Sequence, residues 1–223
     1  IVKAGKFGMD FNVTFANNRN RVTAMDETCL ASLNNEFNRN NGSYLSRVEL
    51  NYALGSIYGF RYLGVYQYSD YSAEEVPGVS GPNAPVVRDK DGIVILDENQ
   101  MTKPMMFCAG SVNYEFRGGD AIYDDINHDG TIDELDIVYL GSSLPKVTGG
   151  WGFKLRWGRL SWNNQFNFRY GNKIINRVRM NAENMYSNNN QSRAVNWRWR
   201  VEGDDARIPR ALRQHGYNWL GSD

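Results

Sequence analysis

The chain has 223 residues in which 25 Lys and Arg are balanced by 25 Asp and Glu, and a net charge of zero removes the electrostatic case for a nucleic-acid partner. Aromatic residues reach 13% while the mean hydropathy is -0.57, a pairing that presents many rings on surfaces instead of hiding them in an ordinary core. No run of about 18 apolar residues occurs, which excludes a transmembrane helix but leaves open a transmembrane β-barrel, whose alternating strands escape any window average.

The length allows one domain, with no Pro-rich or Ser-rich linker long enough to split it. The chain opens at Ile1-Val2-Lys3 without the basic-then-apolar start of a signal peptide, so it is expected to be a processed chain or a fragment. Cys29 and Cys108 are too few to define a redox compartment, and nothing in the sequence brings them together.

In chain order, the first periodic element is Phe7, Met9, Phe11, Val13 and Phe15, alternating with Gly8, Asp10, Asn12 and Thr14. If the apolar face meets lipid, Asp10 and Asn12 must look inward to water. A second, less clean aromatic row runs through Tyr58, Phe60, Tyr62, Tyr66 and Tyr68, either as a strand or as the rim of a loop domain. Long connections span Ser69 to Thr102 and Asn172 to Trp219, and asparagine clusters such as Asn17-Asn18, Asn34-Asn35 and Asn188-Asn189-Asn190 mark polar loops.

The stretch 125–136 has the spacing that wraps a loop around one calcium ion. Asp125, Asn127, Asp129 and Asp133 occupy loop positions 1, 3, 5 and 9, Gly130 at position 6 permits the sharp turn, Thr131 at position 7 offers its backbone carbonyl, and Asp136 closes position 12. Asp136 is one methylene shorter than the usual bidentate Glu, and the flanks do not read as long amphipathic helices, so a structural Ca2+ site is expected and not a sensor. The competing reading is a solvated acidic turn that uses Asp and Gly for geometry alone. His128, at position 4, reads as an exposed spacer.

The clearest hairpin follows. Trp151, Phe153, Leu155 and Trp157 alternate with Gly152, Lys154 and Arg156; beyond Gly158-Arg159, Leu160, Trp162, Phe166, Phe168 and Tyr170 alternate with Ser161, Asn163, Gln165, Asn167 and Arg169. A half-buried hairpin of a soluble sandwich accounts for one apolar face. Tryptophans near the strand ends and several large rings per strand favour a face that meets lipid.

The run Gly119-Asp120-Ala121-Ile122-Tyr123-Asp124-Asp125 through Asp133, then Tyr139-Leu140-Gly141-Ser142-Ser143-Leu144-Pro145-Lys146 and Gly150-Trp151-Gly152-Phe153, resembles the C-terminal barrel region of SusC/RagA-type TonB-dependent outer-membrane transporters. So do Ser56-Ile57-Tyr58-Gly59-Phe60-Arg61-Tyr62 upstream and Tyr170-Gly171-Asn172-Lys173, Trp197-Arg198-Trp199-Arg200 and Ile208-Pro209-Arg210-Ala211 downstream. The resemblance covers nearly the whole chain.

It implies an all-β fold, part of a large antiparallel transmembrane β-barrel with long extracellular loops, located in the Gram-negative outer membrane and in contact with its lipid. Residues 1–223 would then be a barrel fragment with an extracellular calcium loop at about 120–140. The plug domain, the TonB-contacting segment and the last strands would lie outside it, since family members continue beyond Leu220-Gly221-Ser222-Asp223. The partners implied are TonB, a SusD-like surface lipoprotein and an oligosaccharide or peptide substrate.

Trp197-Arg198-Trp199-Arg200 reads either as a girdle strand, favoured here because every barrel has one, or as a ligand-binding element. An enzyme is not expected: there is no G-x-S-x-G or H-E-x-x-H, only His128 and His215 are present, and Glu74-Glu75, Asp124-Asp125 and Asp204-Asp205 are adjacent pairs whose side chains diverge on a strand. The contrasting hypothesis is a soluble, extracellular, calcium-stabilised β-sandwich for binding or adhesion.

Overall fold

A computed structural model describes residues 2–29, 37–38, 43–44, 47–67, 85–109, 112–186 and 188–212. Tyr68, Asn34-Asn35, Glu74-Glu75, His215 and the segment 213–223 lie outside these residues. In chain order the strands are β1 (Val2–Ala4), β2 (Phe7–Ala16), β3 (Phe37–Asn38), β4 (Ser43–Tyr44), β5 (Ser56–Gly59), β6 (Tyr62–Val65), β7 (Met106–Ala109) and β8 (Val112–Glu115). They continue with β9 (Ala121–Tyr123), β10 (Thr131–Ile132), β11 (Val138–Ser142), β12 (Val147–Trp157) and β13 (Leu160–Tyr170), followed by one short helix, α1 (Arg177–Glu183). The chain is β-rich, and it divides into two compact units: 1–35, 46–57 and 141–174 form the first, 36–45, 58–140 and 175–223 the second.

The first unit is a sheet of order β1-β2-β12-β13, antiparallel throughout. Among the described residues this sheet does not close into a barrel. Period-2 alternation and the register together sort every side chain. Phe7, Met9, Phe11, Val13 and Phe15 stand opposite Trp157, Leu155, Phe153, Trp151 and Gly149. Those in turn face Leu160, Trp162, Asn164, Phe166 and Phe168. Asn164 is the polar exception on an otherwise apolar face. The rings pack on one another: Trp151 and Phe166 stack at 4.3 Å between centroids, and Phe153 meets Trp162 edge-on at 5.4 Å. Most of this face is nonetheless exposed, with Phe15 at 73%, Trp157 at 69% and Trp162 at 59%.

The opposite face carries Asp10, Asn12 and Thr14 beside Thr148, Gly150, Gly152, Lys154 and Arg156, then Ser161, Asn163, Gln165, Asn167 and Arg169. Asp10 pairs with Arg156 at 3.4 Å. Two-residue turns at Gly5-Lys6 and Gly158-Arg159 lie at the same end of the sheet, linked by a 3.1 Å bond from the Gly158 N–H to the Lys6 carbonyl. The chain leaves β2 at Ala16 and enters β12 at Val147 at the other end, so some 130 residues are inserted between two neighbouring strands.

The second unit has its own aromatic core. Phe60, Phe107 and Phe116 are fully buried, with Tyr66, Val87, Met105, Ala121, Tyr123 and Ile132 around them. Phe60 sits perpendicular to Phe107 at 6.3 Å, and Phe116 touches Tyr66, Tyr114 and Tyr123 at 5.7–6.3 Å. Such edge-on pairs add to plain area burial. The sheet β10-β7-β8 and the pair β6–β9, the latter with a register shift at Tyr62/Gly64, frame this core. The aromatic row of 58–66 is therefore neither one strand nor a rim: the chain breaks between β5 and β6, and Phe60 and Tyr66 turn into the core.

Trp197-Arg198-Trp199-Arg200 is not a girdle strand either. A 3-10 turn, Arg193–Trp197, is capped by the Ser192 hydroxyl accepting from the Ala194 N–H, after which Arg198 makes a single parallel bridge to Ile208. Trp199 is buried and Trp197 is 75% exposed. Cys29 and Cys108 form no disulfide with each other.

Candidate functional site

The loop 125–136 lies between β9 and β11 in the second unit and ends in a 3-10 turn, Glu134–Asp136. Its side chains are organised by backbone N–H groups. Asp125 Oδ2 accepts from Gly130 at 2.8 Å, Asn127 Oδ1 from Asp129 at 3.1 Å, Asp129 Oδ1 from Thr131 at 2.7 Å and Asp133 Oδ1 from Leu135 at 2.7 Å. Asp136, fully buried, closes the loop with both oxygens, accepting from Ile126 at 2.8 Å and Asp133 at 2.9 Å. Burial, followed by the charges of Asp125 and Asp133, pushes its carboxyl up to about 6.

Asn127 Nδ2 donates to Asp129 Oδ2 at 2.9 Å, and the Lys103 ammonium donates to the Asp129 carbonyl. Thr131 belongs to β10, opposite Met106. His128 is exposed and has φ 56°. The six residues singled out in the sequence thus share one loop, but among the described residues no three acidic, His or Cys side chains gather as a metal centre. Within this loop Asp125 Oδ1 is buried without a hydrogen-bond partner. That hard-oxygen donor set suits Ca2+, and because a carboxylate oxygen has two lone pairs, a backbone bond does not bar it from a cation.

Gly130 has φ 81°, and a Cβ there would run into the Val87 side chain. A left-handed L-residue costs about 1–2 kcal/mol and overpacking about 1–3 more. Gly130→Ala is expected to lower the stability of the loop accordingly, read as faster proteolysis within 125–136, whereas His128→Gly is expected to leave it unchanged or tighter.

Just upstream, Asp120 is fully buried and held by Arg210 Nε at 2.6 Å, the Tyr114 hydroxyl at 2.7 Å and the Arg117 N–H at 2.8 Å. Burial pushes the Asp120 carboxyl above its usual range, against the pull of Arg210. Burial also raises the Tyr114 hydroxyl, with the Asp120 charge adding to it. Trp199 lies directly over Gly119 and donates from Nε1 to Gln67 Oε1 at 3.0 Å. Residues 90 positions apart are thereby tied to the strand that feeds the loop. Sequence spacing carries no sign of this knot, because an Asp and an Arg that far apart have no periodic relation.

Against known proteins, 195 residues, 81% of the chain, align at 28% identity with TonB-dependent receptor P39 of Formosa agariphila. The chain is similar to a TonB-dependent receptor. It spans 18% of that protein's length, and no family model matches it. The similarity is to a protein named as a TonB-dependent receptor and does not single out the SusC/RagA branch. No helix among the described residues is long and apolar enough to cross a membrane, a statement that leaves strands untouched.

Proposed function

We propose that this chain is part of the wall and the extracellular excursions of a TonB-dependent, SusC-type importer in the outer membrane, working with a SusD-like lipoprotein on oligosaccharides or peptides. The observation that carries this reading is the two-faced sheet β1-β2-β12-β13. Eleven-residue strands are about 33 Å long, and at a tilt of about 40° they span a height of about 25 Å, the apolar band of an outer-membrane barrel. Exposed Trp157, Leu160 and Trp162 at one end and Phe15, Phe168 and Tyr170 at the other supply two girdles. Two-residue turns at one end and long excursions at the other match the periplasmic and external sides. Isolating the full-length protein from solubilised outer membranes, with mass spectrometry of what accompanies it, tests the assignment. A SusD-like lipoprotein in the eluate supports it, and a protein absent from the membrane fraction overturns it.

Calcium belongs to the same proposal. Asp125, Asn127, Asp129, Asp133, Asp136 and the Thr131 carbonyl would hold the ion, which when bound supplies a charge-neutralising staple for a loop with little apolar core of its own. Titration calorimetry on the full-length protein is expected to show one calcium-binding event that Asp129→Ala removes, and EGTA to lower the melting midpoint. Calcium binding by Asp129→Ala equal to that of wild type would remove the assignment.

A further inference from the structure

Charge is divided unequally between the two units. The first carries eleven Lys and Arg against four Asp and Glu, a net +7, and the second fourteen against twenty-one, a net -7. On the polar face of the sheet the imbalance is local. Asp10, the single carboxylate of that face on β2, β12 and β13, already engages Arg156, while Lys154 and Arg169 have no ion-pair partner among the described residues.

Between these cations the middle strand is recessed. At Gly150 and Gly152 the space that a side chain would fill is taken by the amide ends of Asn12, Gln165 and Asn167, leaning in from both flanking strands. At the end where the excursions leave, a cavity of about 520 Å³ is lined by Thr14, Phe15, Thr148, Asn167, Phe168 and Arg169. Among the described residues no acidic side chain lines it. The Lys146 stem occupies the place that a Cβ on Gly171 would take.

Resting on the importer reading, we propose that this polar face is a binding strip for an anionic, polyhydroxylated solute, with its carboxylate or sulfate on Arg169 and its hydroxyls on the amides of Asn12, Gln165 and Asn167. A guanidinium presents a planar fork that fits such oxyanions with two parallel bonds, and amides both donate to and accept from hydroxyl groups. Gly150 and Gly152 serve the strip by keeping the floor low enough for the three amides to meet.

The test uses the full-length receptor in detergent micelles and two probes of equal length, trigalacturonate and maltotriose. Wild type is expected to bind trigalacturonate at least 10-fold more tightly than maltotriose, with the preference shrinking as salt is raised. Arg169→Gln is expected to lose that preference, and Arg169→Lys to keep part of it. Wild-type binding that is equal for the two probes or absent for both, or an Arg169→Gln receptor that keeps the charged preference, overturns the proposal. A heat-dependent gel shift identical for wild type and variants establishes that the barrel is folded, and membrane fractionation reports separately on the importer reading.

Discussion

Replacing Asp120 by alanine is expected to destabilise the second unit by about 3–5 kcal/mol, because it strands the Arg210 guanidinium and the Tyr114 hydroxyl inside the fold without their acceptor. Asp120 is fully buried, and donors from three residues converge on its two oxygens. Arg210→Met, which leaves a buried carboxylate with only Tyr114 and the Arg117 N–H, is expected to be comparably damaging. Removing both charges at once should cost less than the sum, since neither then leaves an uncompensated partner. The measurement is thermal or denaturant unfolding of the detergent-solubilised protein, followed by proteolytic cleavage within 58–140. Additive single-mutant costs would show that the pair is not coupled and that the knot is held by packing of Trp199 over Gly119 instead.

That knot also marks the limit of what the sequence makes legible. The strands of the sheet are readable because apolar and polar residues alternate over most of their length, from Phe7 to Phe15 and from Trp151 to Trp157 without a break, and the register leaves both faces as that alternation predicts, apart from Asn164 opposite Phe153. The loop 125–136 was readable because its turn chemistry is local: each Asp or Asn accepts from an N–H a few residues away.

The rows at 58–66 and 197–200 misled for the opposite reason. Their spacing is that of a strand, but short segments take their conformation from what they bury, and here that is a shared aromatic core around Phe60 and the Gly119 backbone beneath Trp199. A pattern of four or five residues cannot distinguish a ring that faces lipid from a ring that faces another ring. Nor does it reveal that one neighbouring strand pair, β2 and β12, closes over an insertion of about 130 residues, since pairing at that separation depends on contacts that no local window contains.

Whether the apolar face meets lipid is tested by placing the same charge on either side of one hairpin. Trp151 lies mid-strand on the apolar face and stacks on Phe166, while Gln165, one residue along the partner strand, points to the polar face. In an outer-membrane barrel an arginine near the midplane on the lipid side costs about 2–4 kcal/mol, and loss of the ring pair adds about 0.5–1.5 kcal/mol. Trp151→Arg is therefore expected to reduce sharply the folded, heat-modifiable fraction recovered from outer membranes. Gln165→Arg, where water is available, is expected to leave that fraction within the scatter of wild type. A soluble sandwich would also suffer from Trp151→Arg, so a second readout separates the two cases: brominated phospholipid should quench the emission of wild-type Trp151 and Trp162 in reconstituted protein. Two sheets packed face to face would shield both indoles from lipid, and unquenched emission would place the apolar face against protein.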